Sequence, residues 1–220
     1  MLFLIMQHKI TVNKTAFYHT LGNVKTAQTI WIVLHGYGYL AKYFIRKFNP
    51  ILNKNTAVIA PEGLSKFYLN GVGFDGRIGT SWMTKDNRET EIEDYVNYLD
   101  QLYKAILEEN EMSDVKINVV GFSQGGATAS RWIANQQSKI DNLILWASSF
   151  AEDIDLKLLA QNNKLFALFG DDDEYIPKEK INQYEEQLTT SNIDCEFIRF
   201  NGKHDIPADV LTKQTQLNNW

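Results

Sequence analysis

The chain has a single cysteine, Cys195, among its 220 residues. One thiol excludes an intrachain disulfide and a thiolate zinc cluster. Only four histidines are present, His8, His19, His35 and His204, and no two of them form an HxxxH pair, which argues against a structural metal site. Basic charge is not in surplus. The 22 Lys+Arg face 27 Asp+Glu, for a formal net charge of -5, and that balance leaves no electrostatic footprint for nucleic acid or anionic lipid. No apolar run is long enough to cross a bilayer. The opening MLFLIMQHK lacks a basic lead and a small-residue cleavage site, so it reads as an early strand or a frayed start and the chain as cytoplasmic. No repeat, low-complexity tract or Pro/Gly/Ser linker divides the sequence. Residues 1–220 are therefore expected to form one domain.

What is present is an ordinary globular composition, 44% apolar and 22% charged. At this length such a chain buries roughly 70% of its unfolded surface and needs no staples. Strands are predicted at Lys9–Val12, Ala16–Thr20, Thr29–Leu34 (TIWIVL) and Thr56–Ala60 (TAVIA). A long helix follows from Glu91 to Glu108, where Ile92, Tyr95, Val96, Leu99, Leu102, Tyr103, Ile106 and Leu107 fall in steps of three and four. Strand and helix then alternate. The predicted strands are Val115–Val120, Leu143–Ala147, Leu165–Phe169 and Cys195–Phe200. The predicted helices are Gln124–Asn135, Ile154–Ala160, Lys178–Thr189 and Pro207–Leu217. Continuous apolar strands alternating with helices imply an α/β fold, with a mostly parallel central sheet covered by helices on both faces. One connection, residues 62–81, has five glycines and no period, and it is read as a long functional loop.

The strongest chemical signal is Gly121-Phe122-Ser123-Gln124-Gly125, set between the strand VKINVV and the helix ATASRWIAN. G-x-S-x-G alone is weak, but strand–turn–helix is the setting of a nucleophile elbow. A serine hydroxyl needs a base, and in this architecture the chain order is Ser, Asp/Glu, His. Only His204 follows Ser123, in a loop directly after CEFIRF. The acid should follow a strand between them. LFALFG runs into Asp171-Asp172-Asp173-Glu174, and the D-x-x-I-P offset to Pro177 favours Asp173. Asp172 is the next choice, and Asp171 suits a local turn or cap. Negative charge on the reacting carbonyl needs preset donors. The backbone N–H of Gln124 is one candidate. The Tyr37 N–H, in His35-Gly36-Tyr37-Gly38 after TIWIVL, is the other. His35 precedes Ser123 and is read as an anchor of that loop rather than the base.

HGYG, APEG, the SW at Trp82, GFSQGG, GDDDEYIP and GKH occur in the order and rough spacing of the carboxylesterase/phospholipase family of α/β-hydrolases, which includes acyl-protein thioesterases. The chain resembles that family from about Trp31 to Leu211. The resemblance implies a small α/β-hydrolase with no large cap domain. It would cleave carboxylic esters or thioesters without a cofactor, using Ser123, Asp173 and His204. Two departures stand near the acyl side. Tyr39 occupies a position where the family commonly has Asp or Asn, and Trp82-Met83-Thr84 replaces W-[FY]-D.

The reading that follows is a serine carboxylic-ester hydrolase acting through an acyl-enzyme on a small-molecule ester. A thioesterase acting on acylated protein or small acyl thiols is the second reading, and a hydrolase fold used as a non-catalytic binding module is the third. Tyr39, Phe67, Phe74 and Trp82 are expected to wall an acyl pocket. The alternatives for these residues are ordinary packing over the sheet edge or a homodimer surface. Cys195, at the start of a buried strand, is expected to be an inert thiol.

Overall fold

The structure is a computed structural model that describes residues 4–70, 76–135 and 139–220. Strands β1 (Tyr18–Leu21), β2 (Thr29–Leu34) and β3 (Thr56–Pro61) open the fold. Helix α1 (Ala41–Phe44) runs into a 3-10 stretch, Ile45–Ile51, between β2 and β3. A hairpin, β4 (Ser65–Asn70) and β5 (Arg77–Ser81), precedes helix α2 (Arg88–Glu109). Then come β6 (Lys116–Phe122), α3 (Gln124–Ala134), β7 (Asn142–Trp146), α4 (Leu156–Asn162), β8 (Lys164–Gly170), α5 (Lys178–Thr190), β9 (Cys195–Phe200) and α6 (Ala208–Leu217).

Seven strands form one sheet in the order β1-β3-β2-β6-β7-β8-β9, parallel throughout except for β1. Its inner strands are buried on both sides because successive residues alternate between two apolar layers. In β2, Ile30, Ile32 and Leu34 join a cluster with Tyr95 and Leu99 of α2, Trp132 of α3 and Leu159 of α4. Trp31 and Val33 join the opposite cluster with Phe44, Phe48 and Leu211 of α6. A strand covered on both faces has no polar positions to spare, which is why TIWIVL reads as a continuous apolar run.

From β2 the chain steps outward to β3, and from β6 it builds the other way to β9. The order therefore reverses between β2 and β6, and the crevice beyond their carboxyl ends is where an open α/β sheet binds its ligand.

Three expectations need correction. Lys9–Val12 forms no strand, and Ile10 and Val12 are exposed. A strand exists only by pairing, and β1 already occupies the free edge of β3. The segment lies against α2 instead, through the Lys9–Glu93 ion pair at 3.1 Å. Second, residues 62–81 contain a hairpin rather than a structureless loop. Third, in α2, Leu107 is exposed while Asp100 is partly covered and accepts from Trp132 Nε1 at 2.7 Å. Among the described residues, no helix is long and apolar enough to cross a membrane.

Candidate active site

β6 ends at Phe122 and α3 begins at Gln124, so Ser123 alone carries the reversal from strand to helix. Its backbone sits at φ 53°, ψ -121°, a region that costs an L-residue about 1–3 kcal/mol. The surroundings hold it there. The Ser123 N–H donates to the Trp146 carbonyl at 3.0 Å, and the flanking residues have no room for a side chain. A Cβ at Gly121 would stand 2.4 Å from Gly126 Cα, and one at Gly125 would stand 2.3 Å from the Leu34 carbonyl oxygen. The two glycines let strand and helix close on β2, which leaves Ser123 part-exposed at the reversal of the sheet.

The loops after β8 and β9 meet beside it. His204 Nδ1–H donates to Asp173 Oδ2 at 2.8 Å. The Asp173 side chain is fully buried, and its other oxygen accepts the N–H groups of Tyr175 at 2.8 Å and Ile176 at 2.9 Å. Three donors on one carboxylate fix its plane. Two rings lie close to the imidazole, Phe122 at 5.0 Å and Tyr175 at 4.9 Å between centroids. Phe122 is the residue before Ser123, so the imidazole lies near the turn that carries the hydroxyl. No hydrogen bond joins Ser123 Oγ to His204 among the described residues.

The acidic run resolves into separate partnerships. Asp171 accepts from Arg199 Nη2 at 2.6 Å and Nε at 3.0 Å. Glu174 accepts the backbone N–H of His204 at 3.2 Å. The Asp172 side chain is exposed, and only the Asp173 side chain reaches the imidazole.

The HGYG turn stands opposite. A Cβ at Gly36 would lie 3.1 Å from Ser123 Cβ, which places the two loops in contact. Among the described residues neither the Tyr37 N–H nor the Gln124 N–H has a hydrogen-bond partner. Strand β5 braces the turn. The Gly38 N–H donates to the Thr80 carbonyl at 2.9 Å, the Thr80 N–H to the Tyr39 carbonyl at 3.1 Å, and Thr80 Oγ1 to the same carbonyl at 2.7 Å.

His35 anchors the turn from below. Its buried ring donates from Nδ1 to the Gly36 carbonyl at 2.7 Å, and Nε2 accepts from the Gly63 N–H at 3.0 Å. Burial pulls its pKa down to about 4, against the opposing pull of the Gly36 hydrogen bond and the Glu62 charge. The ring is therefore neutral near pH 7. Its acceptor nitrogen is already in use, so His35 is not a base.

The expected pocket residues separate. Tyr37 stacks on Phe67 at 5.0 Å, and Tyr39 packs edge-on against Phe122, its ring partly exposed. Trp82 departs from expectation. It is buried, stacked on His35 at 5.0 Å, with its indole N–H given to the His35 carbonyl at 2.8 Å. It supports the floor of the site instead of facing an open cleft. Phe74 lies outside the described residues.

Gln124 has a second role that the motif alone did not reveal. Its side chain accepts the Trp82 N–H at 3.2 Å and donates to the Met83 carbonyl at 2.8 Å, tying the GFSQ turn to the SWM segment. Thr80 and Tyr175 were likewise missed. Thr80 sits in a stretch with no periodic signal, and Tyr175 is one of the unspecified positions in D-x-x-I-P. Two cavities, of about 860 Å³ beside the amino-terminal segment and about 560 Å³ at the foot of β8, do not include Ser123 or His204.

The model of the phospholipase/carboxylesterase family matches residues 20–217. The chain belongs to this family. None of the curated proteins matches it in sequence. Among solved structures, esterase PE8 superposes with a TM-score of 0.66 at 19% identity, covering 94% of this chain and 99% of that one. The acyl-protein thioesterase 2 of Zea mays gives 0.64 at 17% identity, covering 93% and 99%. The Bacillus cereus carboxylesterase gives 0.66 at 14% identity, covering 94% and 95%. At these identities the likeness is one of fold. The fold is that of an α/β-hydrolase with no large cap among the described residues, and the family is that of phospholipases and carboxylesterases.

Proposed function

We propose that the protein is a serine hydrolase of carboxylic esters, with Ser123 as nucleophile, His204 as base and Asp173 as the acid that orients it. The observation that carries this reading is the Asp173–His204 hydrogen bond of 2.8 Å, with the ring seated on Phe122 next to Ser123. His204 takes the hydroxyl proton as Oγ attacks the carbonyl carbon. Asp173 holds the proton on Nδ1 and stabilises the imidazolium. Charge accumulates on the carbonyl oxygen, and the unpartnered N–H groups of Tyr37 and Gln124 are the donors offered to it. His204 then gives its proton to the departing oxygen, leaving an acyl-serine. Water deprotonated by the same ring releases the acid. No step calls for a metal or cofactor. Seven of the nine described strands form one sheet with the helices packed on it, which supports taking residues 1–220 as one domain.

The test is covalent labelling. A fluorophosphonate probe should label the wild-type chain and leave Ser123→Ala unlabelled, and that variant should lose about 10⁶ in kcat on p-nitrophenyl butyrate. A variant that hydrolyses the ester at the wild-type rate would remove Ser123 from the reaction. Absence of labelling in a folded wild-type chain would favour a binding module. A thioester can react through the same atoms, and one fold neighbour carries the name acyl-protein thioesterase. Matched butyryl esters and thioesters decide which leaving group the site prefers.

A further inference from the structure

The side of the site that receives the leaving group can be read from the environment of His204, and this step rests on the serine-hydrolase reading above. Protonation of the departing atom by His204 Nε2 requires that atom to lie beside the imidazole. Whatever flanks the ring therefore meets the group attached to the departing oxygen or sulfur. Phe122, 5.0 Å from the imidazole between centroids, is fully buried and holds no free surface. Tyr175, 4.9 Å away and inclined at 62°, is 74% exposed.

Tyr175 does little for the fold that would explain an aromatic residue there. Its backbone N–H is held by Asp173 Oδ1 at 2.8 Å, a contact any residue but proline could make. Its side chain has one aromatic neighbour, the catalytic imidazole itself. An aromatic side chain left in water, next to the one group that must touch the leaving atom, is a surface waiting for an apolar partner. In the proposed mechanism the acyl portion would lie elsewhere, towards the Tyr37 and Tyr39 turn. Of the charges nearby, Glu174 holds the His204 backbone, Asp171 holds Arg199, and Asp205 pairs with Lys47. Asp172 and Lys178, exposed and of opposite sign, flank Tyr175 in sequence, and the exposed ring within 5 Å of the imidazole is that of Tyr175.

We propose that Tyr175 is a specificity-determining contact for the leaving group, and that it selects alcohols or thiols carrying an uncharged, flat apolar substituent. The ring of the substrate would lie on the open face of Tyr175 during acylation and depart with the alcohol. An aromatic pair contributes about 0.5–1.5 kcal/mol beyond the area it buries, so the preference should be up to roughly tenfold.

Ethyl and benzyl butyrate separate this role from its rivals, because they share one acyl group and differ in what Tyr175 would touch. The wild-type chain should favour the benzyl ester in kcat/KM. Tyr175→Ala should lower the benzyl-to-ethyl ratio by about tenfold, and Tyr175→Phe should keep it. The hydrolysis rate of the butyryl-enzyme, a species from which the leaving group has gone, should be the same in all three chains. An unchanged benzyl-to-ethyl ratio in Tyr175→Ala would overturn the proposal. So would slowed butyryl-enzyme hydrolysis with both esters losing rate equally, since that would make Tyr175 a prop for His204. If a fluorophosphonate leaves Ser123 of the folded wild-type chain unlabelled, the serine-hydrolase reading itself falls, and that labelling result identifies the failure separately.

Discussion

At the scale of single residues, the site depends on which nitrogen of each histidine is already committed. His204 gives Nδ1 to Asp173, which under the proposed mechanism leaves Nε2 for the reaction, whereas His35 has both nitrogens engaged in holding the turn. Asp173→Asn should therefore remove the acceptor that fixes the tautomer and lower kcat by about 10⁴ while leaving the fold intact, measurable by esterase assay beside circular dichroism. A loss below tenfold would mean that the carboxylate is not orienting the base. Cys195 should stay silent. Burial pushes its thiol up to about 12, with Asp194 and Glu196 adding to the shift, so iodoacetamide at pH 7.5 should modify the native chain far more slowly than the unfolded one.

At the scale of elements, the hairpin β4–β5 is the part that the sequence conceals. Its strands pair only with each other, so they carry neither the apolar run of a buried strand nor a clean alternation, and glycines obscure what remains. The hairpin nevertheless braces the HGYG turn through Thr80. Thr80→Val keeps the volume and removes the hydroxyl that donates to the Tyr39 carbonyl. The expected cost is about 1–2 kcal/mol in urea denaturation, with kcat falling by roughly tenfold and KM changing less. A fall in stability without a fall in kcat would make the hairpin a structural brace only. The elements that were legible are those whose periodicity comes from the main sheet. TIWIVL and CEFIRF are strands over the expected residues, and Gln124 opens α3 as expected. KITV failed because alternation says nothing about whether an edge is free. Helix α1 and its 3-10 extension failed because a single turn of AKYF has no period to detect. The meeting of the Asp173 and His204 side chains was legible because chain order and strand-end positions are severe filters, while Trp82 was misjudged because an aromatic residue in a motif does not announce which way its ring faces.

At the scale of the whole molecule, the neutral buried His35 ties stability to pH. Its pKa is about 4 in the folded chain and about 6.5 when unfolded, so in between the unfolded state binds the extra proton. The contribution is fully present above about pH 6.5, shrinks as pH falls, and reaches a loss on the order of 3 kcal/mol near pH 4. Urea midpoints at pH 7 and pH 4.5 should reveal it. His35→Gln should be less stable at pH 7 but lose less on acidification, and equal losses in the two chains would absolve His35.

The reversal of strand order between β2 and β6 has a consequence for how such a chain can diversify. Every loop that would cradle the carbonyl and its acyl tail springs from one wing of the sheet, and both loops that would manage the proton spring from the other, with Ser123 on the seam. Descendants can redraw the tail-binding wing by trading hairpins while the proton-handling wing is inherited unaltered, or recut the departing-group side by changing a single exposed ring. Two kinds of selectivity are thereby left free to drift independently of each other.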